Sequence, residues 1–289
     1  MKVRIITGLI CTILVVTILV FTGFGYQGVM SIPMGGIVAI AAYELMRVSK
    51  CENKLLTGIS MAVAAIGPAY VDFDIQSYMP VPFSAILTIY IILLLIILLK
   101  QYEKTKFEHI MLALFGSIVL PASLSTFFNV RDLYKVYPDL FQPSHGIFII
   151  LLAMFCAWMT DTWAYFIGSR FGKHKLAPKI SPKKSVEGAI AGVFGNTLVN
   201  VISFLICDKF CFYLDTINIW IVIAASMFIS VLGMIGDLSA SVIKRNYGEK
   251  DFGSLFPGHG GVLDRIDSFL VTMPATYVII QIVLAIAGK

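Results

Sequence analysis

Between residues 236 and 267 the sequence places carboxylates, cations, hydroxyls and glycines close together. In Gly236-Asp237-Leu238-Ser239-Ala240-Ser241-Val242-Ile243-Lys244-Arg245, a helix running through the segment carries Asp237, Ser241 and Lys244 on one face at i, i+4 and i+7. Downstream, Asp264 and Asp267 are spaced i, i+3, so at a helix start both point to one side. Two such carboxylates with a third on a neighbouring helix make a hard-oxygen cation site, and Mg²⁺ is usually held by one or two carboxylates plus substrate phosphates. Gly258, Gly260 and Gly261 remove side chains where a backbone must approach a ligand or take a positive φ. Taken alone, the segment also reads as a glycine-rich turn followed by an acidic first turn that complements a helix dipole. Asp237 by itself reads equally as a carboxylate snorkelling to a membrane boundary or pairing with Lys244. Neither reading accounts for Lys244, Arg245, Lys250, His259 and Arg265 crowded around the carboxylates. That mixture suits a phosphate-rich ligand held together with a metal ion.

A second polar segment, Ser181-Pro182-Lys183-Lys184-Ser185-Val186-Glu187-Gly188, predicts a helix with Ser181 as N-cap and Pro182 at its first position. Its first amides, with Lys183 and Lys184, then form an anion site; a basic loop lying against anionic headgroups is the alternative. Asp161 closes another apolar run, where a charge bordering the membrane marks a functional candidate. Two other patterns carry no chemistry. Gly23-Phe24-Gly25-Tyr26-Gln27-Gly28 has dinucleotide-fingerprint spacing but closes a membrane helix instead of following a strand. Gly168–Lys173 has too few residues between its glycines for a phosphate-binding loop and no Ser or Thr after the lysine.

The elements that must position these residues are membrane helices. Of 289 residues, 58% are hydrophobic and 13% charged, with a mean hydropathy of +0.88; an average soluble domain carries about 25% charge. A soluble fold of this length could not cover its apolar surface, which excludes a cytosolic globular enzyme, a nucleic-acid-binding protein and a disordered chain. Uncharged runs cover 5–43, 55–71, 75–99, 109–130, 140–160, 188–207, 216–236 and 268–288. A spanning helix takes about 20 apolar residues, so the first run folds as two. The expectation is an all-α polytopic integral membrane protein with about nine transmembrane helices. With the N-terminus cytoplasmic, every Lys and Arg except Arg131, Lys135, Lys209 and Lys289 falls on the cytoplasmic side, as the positive-inside rule requires. No A-x-A-like cleavage site follows the first run, so it is read as a retained anchor. Residues 1–150 form an N-terminal multi-span region and 151–289 the catalytic membrane region, with cytoplasmic loops 168–187 and 244–267. Five Cys give neither a disulfide framework nor metal spacing; Cys207 and Cys211 are read as packing. Glu44, inside the second span, reads as snorkelling inward beside Arg47 or as lining a dimer contact.

Ser241–Asp267 resembles the signature of the phosphatidate cytidylyltransferase (CDP-diacylglycerol synthase) family. That pattern is S-x-aliphatic-K-R, four residues, K-D-x-small, two residues, hydrophobic-P-x-H-G-G-aliphatic-x-D-R-aliphatic-D, met here at every fixed position. Asp161-Thr162-Trp163-Ala164-Tyr165 and Ser181-Pro182-Lys183-Lys184, with Ser185 in place of a Thr, match two further family segments. The resemblance covers residues 156–270; the first 150 match only as a hydrophobic multi-span region. It implies transfer of the cytidylyl group of CTP to phosphatidic acid in the plasma membrane, with an active site on the cytoplasmic side. It also implies a homodimer, Mg²⁺ as cofactor, K⁺ as a second cation, membrane lipid as surroundings and no nucleic-acid partner. Carried over residue by residue, Asp237, Asp264 and Asp267 hold the metal, and Lys244, Arg245, Lys250 and Arg265 neutralise phosphates. Ser241, Gly260 and Gly261 lie against the phosphates, and His259 orients one of them. Ser181, Lys183 and Lys184 clasp CTP, and Asp161 orients a lysine or the substrate. A CTP-dependent lipid kinase and cytidylyl transfer to an isoprenoid ether-lipid phosphate remain alternatives. A transporter would instead place its ionisable groups near the bilayer midplane.

Overall fold

A computed structural model describes residues 28–212, 214, 217–256 and 260–288. The expected first span from residue 5, most of the Gly23–Gly28 turn, Gly258 and His259 lie outside the described residues, as does the side chain of Cys211. Eight described stretches are long and apolar enough to cross a membrane, and the chain is a multi-pass membrane protein. They are α1 (Ser31–Val48), α2 (Lys54–Asp72), α3 (Phe83–Lys100), α4 (Phe107–Arg131), α5 (Pro143–Phe171), α6 (Val186–Phe210), α7 (Ile219–Asn246) and Leu263–Ile286. The last comprises a four-residue turn, α8 (Leu263–Ile266), and α9 (Phe269–Ile286). Helices are what such sequences must form, because hydrocarbon offers backbone amides and carbonyls no other partner. On α3 the exposed Ile89, Ile92 and Leu99 are suited to face lipid.

The apolar runs underestimate two helices. α5 continues past residue 160 to Phe171 and α7 past residue 236 to Asn246, so Asp161, Asp237, Ser241 and Lys244 are all carried on helices. The chain also contains a small antiparallel hairpin, β1 (Lys175–Ala177) against β2 (Ser181–Ser185), pairing Lys175 with Ser185 and Ala177 with Ser181. This corrects the predicted helix start. Ser181 is paired with Ala177 in the strand, so it is not at a cap. The cap is Ser185, whose Oγ accepts from the Gly188 amide at 3.2 Å, and α6 begins at Val186.

The chain divides into two compact units. One runs to Ser125 and includes Asn246–Ile266; the other comprises Thr126–Arg245 and Asp267–Lys289. In the first, Met46, Leu56, Tyr90, Leu94, Ile97, Ile110 and Ala113 from α1–α4 form a buried cluster. In the second, α5 and α6 approach closely because α6 presents glycines. A Cβ on Gly188 or Gly192 would lie 2.7 Å from the carbonyl oxygen of Ala164 or Thr160, respectively, the small-residue packing that membrane helices favour. A buried polar ladder joins α5, α6 and α7. Asn196 Nδ2 donates to Ser230 Oγ at 2.8 Å and Asn200 Nδ2 to Ser226 Oγ at 3.0 Å, both also 3.3 Å from Cys156 Sγ.

Candidate active site

Within the unit of Thr126–Arg245 and Asp267–Lys289, three carboxylates surround one ammonium. Lys184, at the end of β2, is ion-paired to Asp237 of α7 and lies 3.8 Å from Asp161 of α5. The hairpin aims it there. Its first strand is tied to the start of α6 by Glu187, which accepts from the Lys173 amide at 3.1 Å and meets His174 Nδ1 at 2.6 Å. Burial works against the charge on Lys184, but the Asp237 and Asp161 carboxylates outweigh it and raise the ammonium pKa above its ordinary value. Asp267 completes the group, within electrostatic reach of Asp237, Asp161, Lys184 and Lys244. Gly236 makes that approach possible: a Cβ there would lie 3.1 Å from the Asp267 carbonyl oxygen and 2.9 Å from Val271 Cγ2. Asp267 is buried, and its Oδ1 accepts from the Ser268 amide at 2.7 Å. Ser241 and Lys244, one and two turns beyond Asp237, are also buried. Arg245 donates from Nε to the Ile180 carbonyl at 3.3 Å, joining α7 to the β1–β2 loop. Ser181 is half-buried and Lys183 exposed on the same hairpin.

The other expected residues belong to the unit of α1–α3, α4 up to Ser125, and Asn246–Ile266. Asp264 is buried, and its Oδ2 accepts from the amides of Phe252 at 2.8 Å and Gly261 at 2.9 Å. Its carboxylate therefore closes the loop on itself. Gly260 takes φ +84°, with its carbonyl accepting from the Phe256 amide at 3.0 Å. Lys250 and Arg265 are exposed.

Glu44 of α1 was singled out as an intramembrane carboxylate, but its partners were not foreseen. Only 3% exposed, it accepts from the amides of Val262 at 3.0 Å and Leu263 at 2.8 Å. Its carboxylate is thus engaged by loop amides of the same unit, within electrostatic reach of Arg47. One turn along α1, Arg47 Nη2 donates to the Phe252 carbonyl at 2.9 Å. A Cβ at Gly253 or at Gly261 would run into the Glu44 carboxylate.

Chemically, the first cluster combines hard oxygen donors with cations. Among the described residues no three His, Cys, Asp or Glu side chains stand as a ready metal site. Asp237 and Asp267 are the two carboxylates that could hold Mg²⁺ if phosphates completed its shell. Lys184 and Lys244 beside them suit the phosphates themselves.

Known proteins resemble the chain over nearly its whole length. The profile of the Cytidylyltransferase family matches residues 2–283. Proteins named phosphatidate cytidylyltransferase from Staphylococcus aureus (strain COL) and Bacillus subtilis (strain 168) are each 31% identical to the chain. The first aligns over 95% of this chain and 96% of its own length, the second over 98% of both. One of the same name from Staphylococcus haemolyticus (strain JCSC1435) is 42% identical over 45% of this chain and 48% of its own. The chain belongs to the cytidylyltransferase family.

Proposed function

We propose that the protein transfers the cytidylyl group of CTP to phosphatidic acid, giving CDP-diacylglycerol and pyrophosphate, on the cytoplasmic side of the plasma membrane. The convergence of Lys184, Asp161, Asp237, Lys244 and Asp267, on a hairpin, two apolar helices and the turn before a third, all of one unit, carries the reading. An oxygen of the lipid phosphate attacks the α-phosphorus of CTP in line; the bond to the bridging oxygen breaks, and pyrophosphate leaves with its electrons. The nucleophile is already anionic at neutral pH, so no side chain need take its proton. Positioning and charge neutralisation are the main tasks. Lys184 and Lys244 offset the triphosphate charge, with Lys183 and Arg245 beside them. Ser241 offers a hydroxyl to a phosphate oxygen. Asp237 and Asp267 would hold Mg²⁺, which, when bound, draws charge from the phosphates and the leaving pyrophosphate. With CTP bound, the Lys184 ammonium would turn from its carboxylate partner to a phosphate. Asp161 then keeps the lysine oriented.

The test is turnover of CTP labelled separately at the α- and γ-phosphorus, with detergent-solubilised protein, Mg²⁺ and phosphatidic acid. Expected are α-label in the lipid, γ-label in pyrophosphate, and a loss of about 10²-fold or more in kcat for Asp267→Asn. Appearance of γ-label in the lipid with release of CDP would mean a kinase. Turnover only with an isoprenoid ether-lipid phosphate would move the acceptor. No turnover with any lipid phosphate would overturn enzymatic transfer.

A further inference from the structure

We infer that Glu44 is a positioning residue for cytidylyl transfer, holding the 252–264 loop on α1 so that Asp264 and Arg265 are presented in one fixed arrangement; this rests on the function proposed above. Three connections define the clamp. Glu44 takes the amides of Val262 and Leu263, Arg47 takes the carbonyl of Phe252, and Asp264 Oδ2 ties the Phe252 and Gly261 amides together. Both ends of the loop are thereby pinned to consecutive turns of one helix, with Phe252 fully buried between them.

A structural role alone explains this arrangement poorly. The amides at the start of a helical turn are ordinarily satisfied by a local Ser, Thr, Asp or Asn cap. Here they are reached by a carboxylate on a membrane helix, where a charge is costly to place. The chain accommodates that carboxylate with glycine at both 253 and 261, each of which lies where a Cβ would strike it. The second glycine of Gly260-Gly261 thus has a reason outside the loop: it makes room for Glu44. The residue immediately after the two clamped amides is Asp264, followed by Arg265, so displacement of the clamp displaces both.

Glu44→Gln is the direct test, because it keeps the volume but turns one acceptor into a donor facing an amide N–H. In detergent, with folding followed by thermal melting, we expect kcat to fall about 10–100-fold, since misplacement by about an ångström costs that much. Hydrogen–deuterium exchange should accelerate in the peptide containing Val262 and Leu263 while the helices keep wild-type protection. Gly253→Ala, which crowds the same carboxylate from the other side, should reproduce both effects and so covers the case in which Glu44→Gln does not fold. Wild-type kcat in folded Glu44→Gln, or unchanged exchange at Val262 and Leu263, would overturn the inference. If the wild-type protein makes no CDP-diacylglycerol, it is the function that fails. The exchange measurement still decides whether the clamp exists.

Discussion

Lys184 and Asp237 each keep about a quarter or less of their side-chain surface in solvent, 24% and 20%, so neither is an ordinary surface ion. Removing one leaves the other partly desolvated without its partner, at about 1–3 kcal/mol. Removing both should cost less than the two losses added. A double-mutant cycle of Lys184→Met and Asp237→Asn, read by thermal unfolding in detergent, should therefore give a coupling of about 1–3 kcal/mol. Additive losses would mean that the pair contributes nothing to stability. Asp161, whose side chain is 50% exposed at 3.8 Å from Lys184, should couple by no more than about 1 kcal/mol in the same experiment. Residue type and local spacing were enough to single out Asp237, Lys184, Asp267 and Glu44 before any fold was known. Their partners were another matter. Helical periodicity reports neighbours three or four positions away, whereas Lys184 meets Asp237 across 53 positions and Glu44 meets Val262 across 218.

At the scale of elements, the hairpin and α6 carry Lys184 only as accurately as α6 is seated on α5. That contact is made by glycine, and it yields a paired expectation. Gly192→Ala places a methyl 2.7 Å from the Thr160 carbonyl and 3.2 Å from its Cγ2, so α5 and α6 must separate. The cost should be about 1–3 kcal/mol, seen as a lower melting temperature. Gly36→Ala in α1 meets nothing within 4 Å and should be neutral, or stabilising by up to about 1 kcal/mol through helix propensity. Equal effects of the two substitutions would remove close packing as the reason for Gly192. Membrane elements were largely legible because uncharged runs report where lipid can lie. Helix ends were not: α5 and α7 continue through Asp161 and Asp237 to Phe171 and Asn246, since helical backbone bonds do not stop where the uncharged run stops. The β1–β2 hairpin was missed for a different reason. Its short, lysine-rich strands show no apolar alternation, and Ser181-Pro182 closely imitates a helix start.

Over the whole molecule, the signature that is continuous in sequence is shared between the two compact units. Ser241–Arg245 and Asp267 belong to one compact unit, while Asn246–Ile266 belongs with α1–α3 and most of α4. The N-terminal spans, which the family profile also matches although the local motifs lie elsewhere, therefore supply the scaffold on which the 252–264 loop is held. Nothing in a linear motif could have revealed this, because adjacency along the chain is silent about which helix a loop folds against. Charge gives an expectation for the orientation of that scaffold. Lys50, Lys104 and Lys106 follow α1 or α3, Lys173, Lys175 and Lys179 follow α5, and Lys250 follows α7. If the spans alternate, all of these lie on one side, and the positive-inside rule predicts that side to be cytoplasmic. Cysteines introduced singly at the exposed positions Lys104, Lys179 and Lys250 should react with an impermeant maleimide only in inside-out vesicles. Cysteines at the exposed Tyr78 and Asp139 should react only in right-side-out vesicles. The reverse pattern would place the carboxylate–lysine cluster on the face away from cytoplasmic CTP, and the proposed transfer could not proceed with that nucleotide pool. A mixed pattern within either set would contradict the alternation of spans itself, so the labelling tests orientation and helix count together.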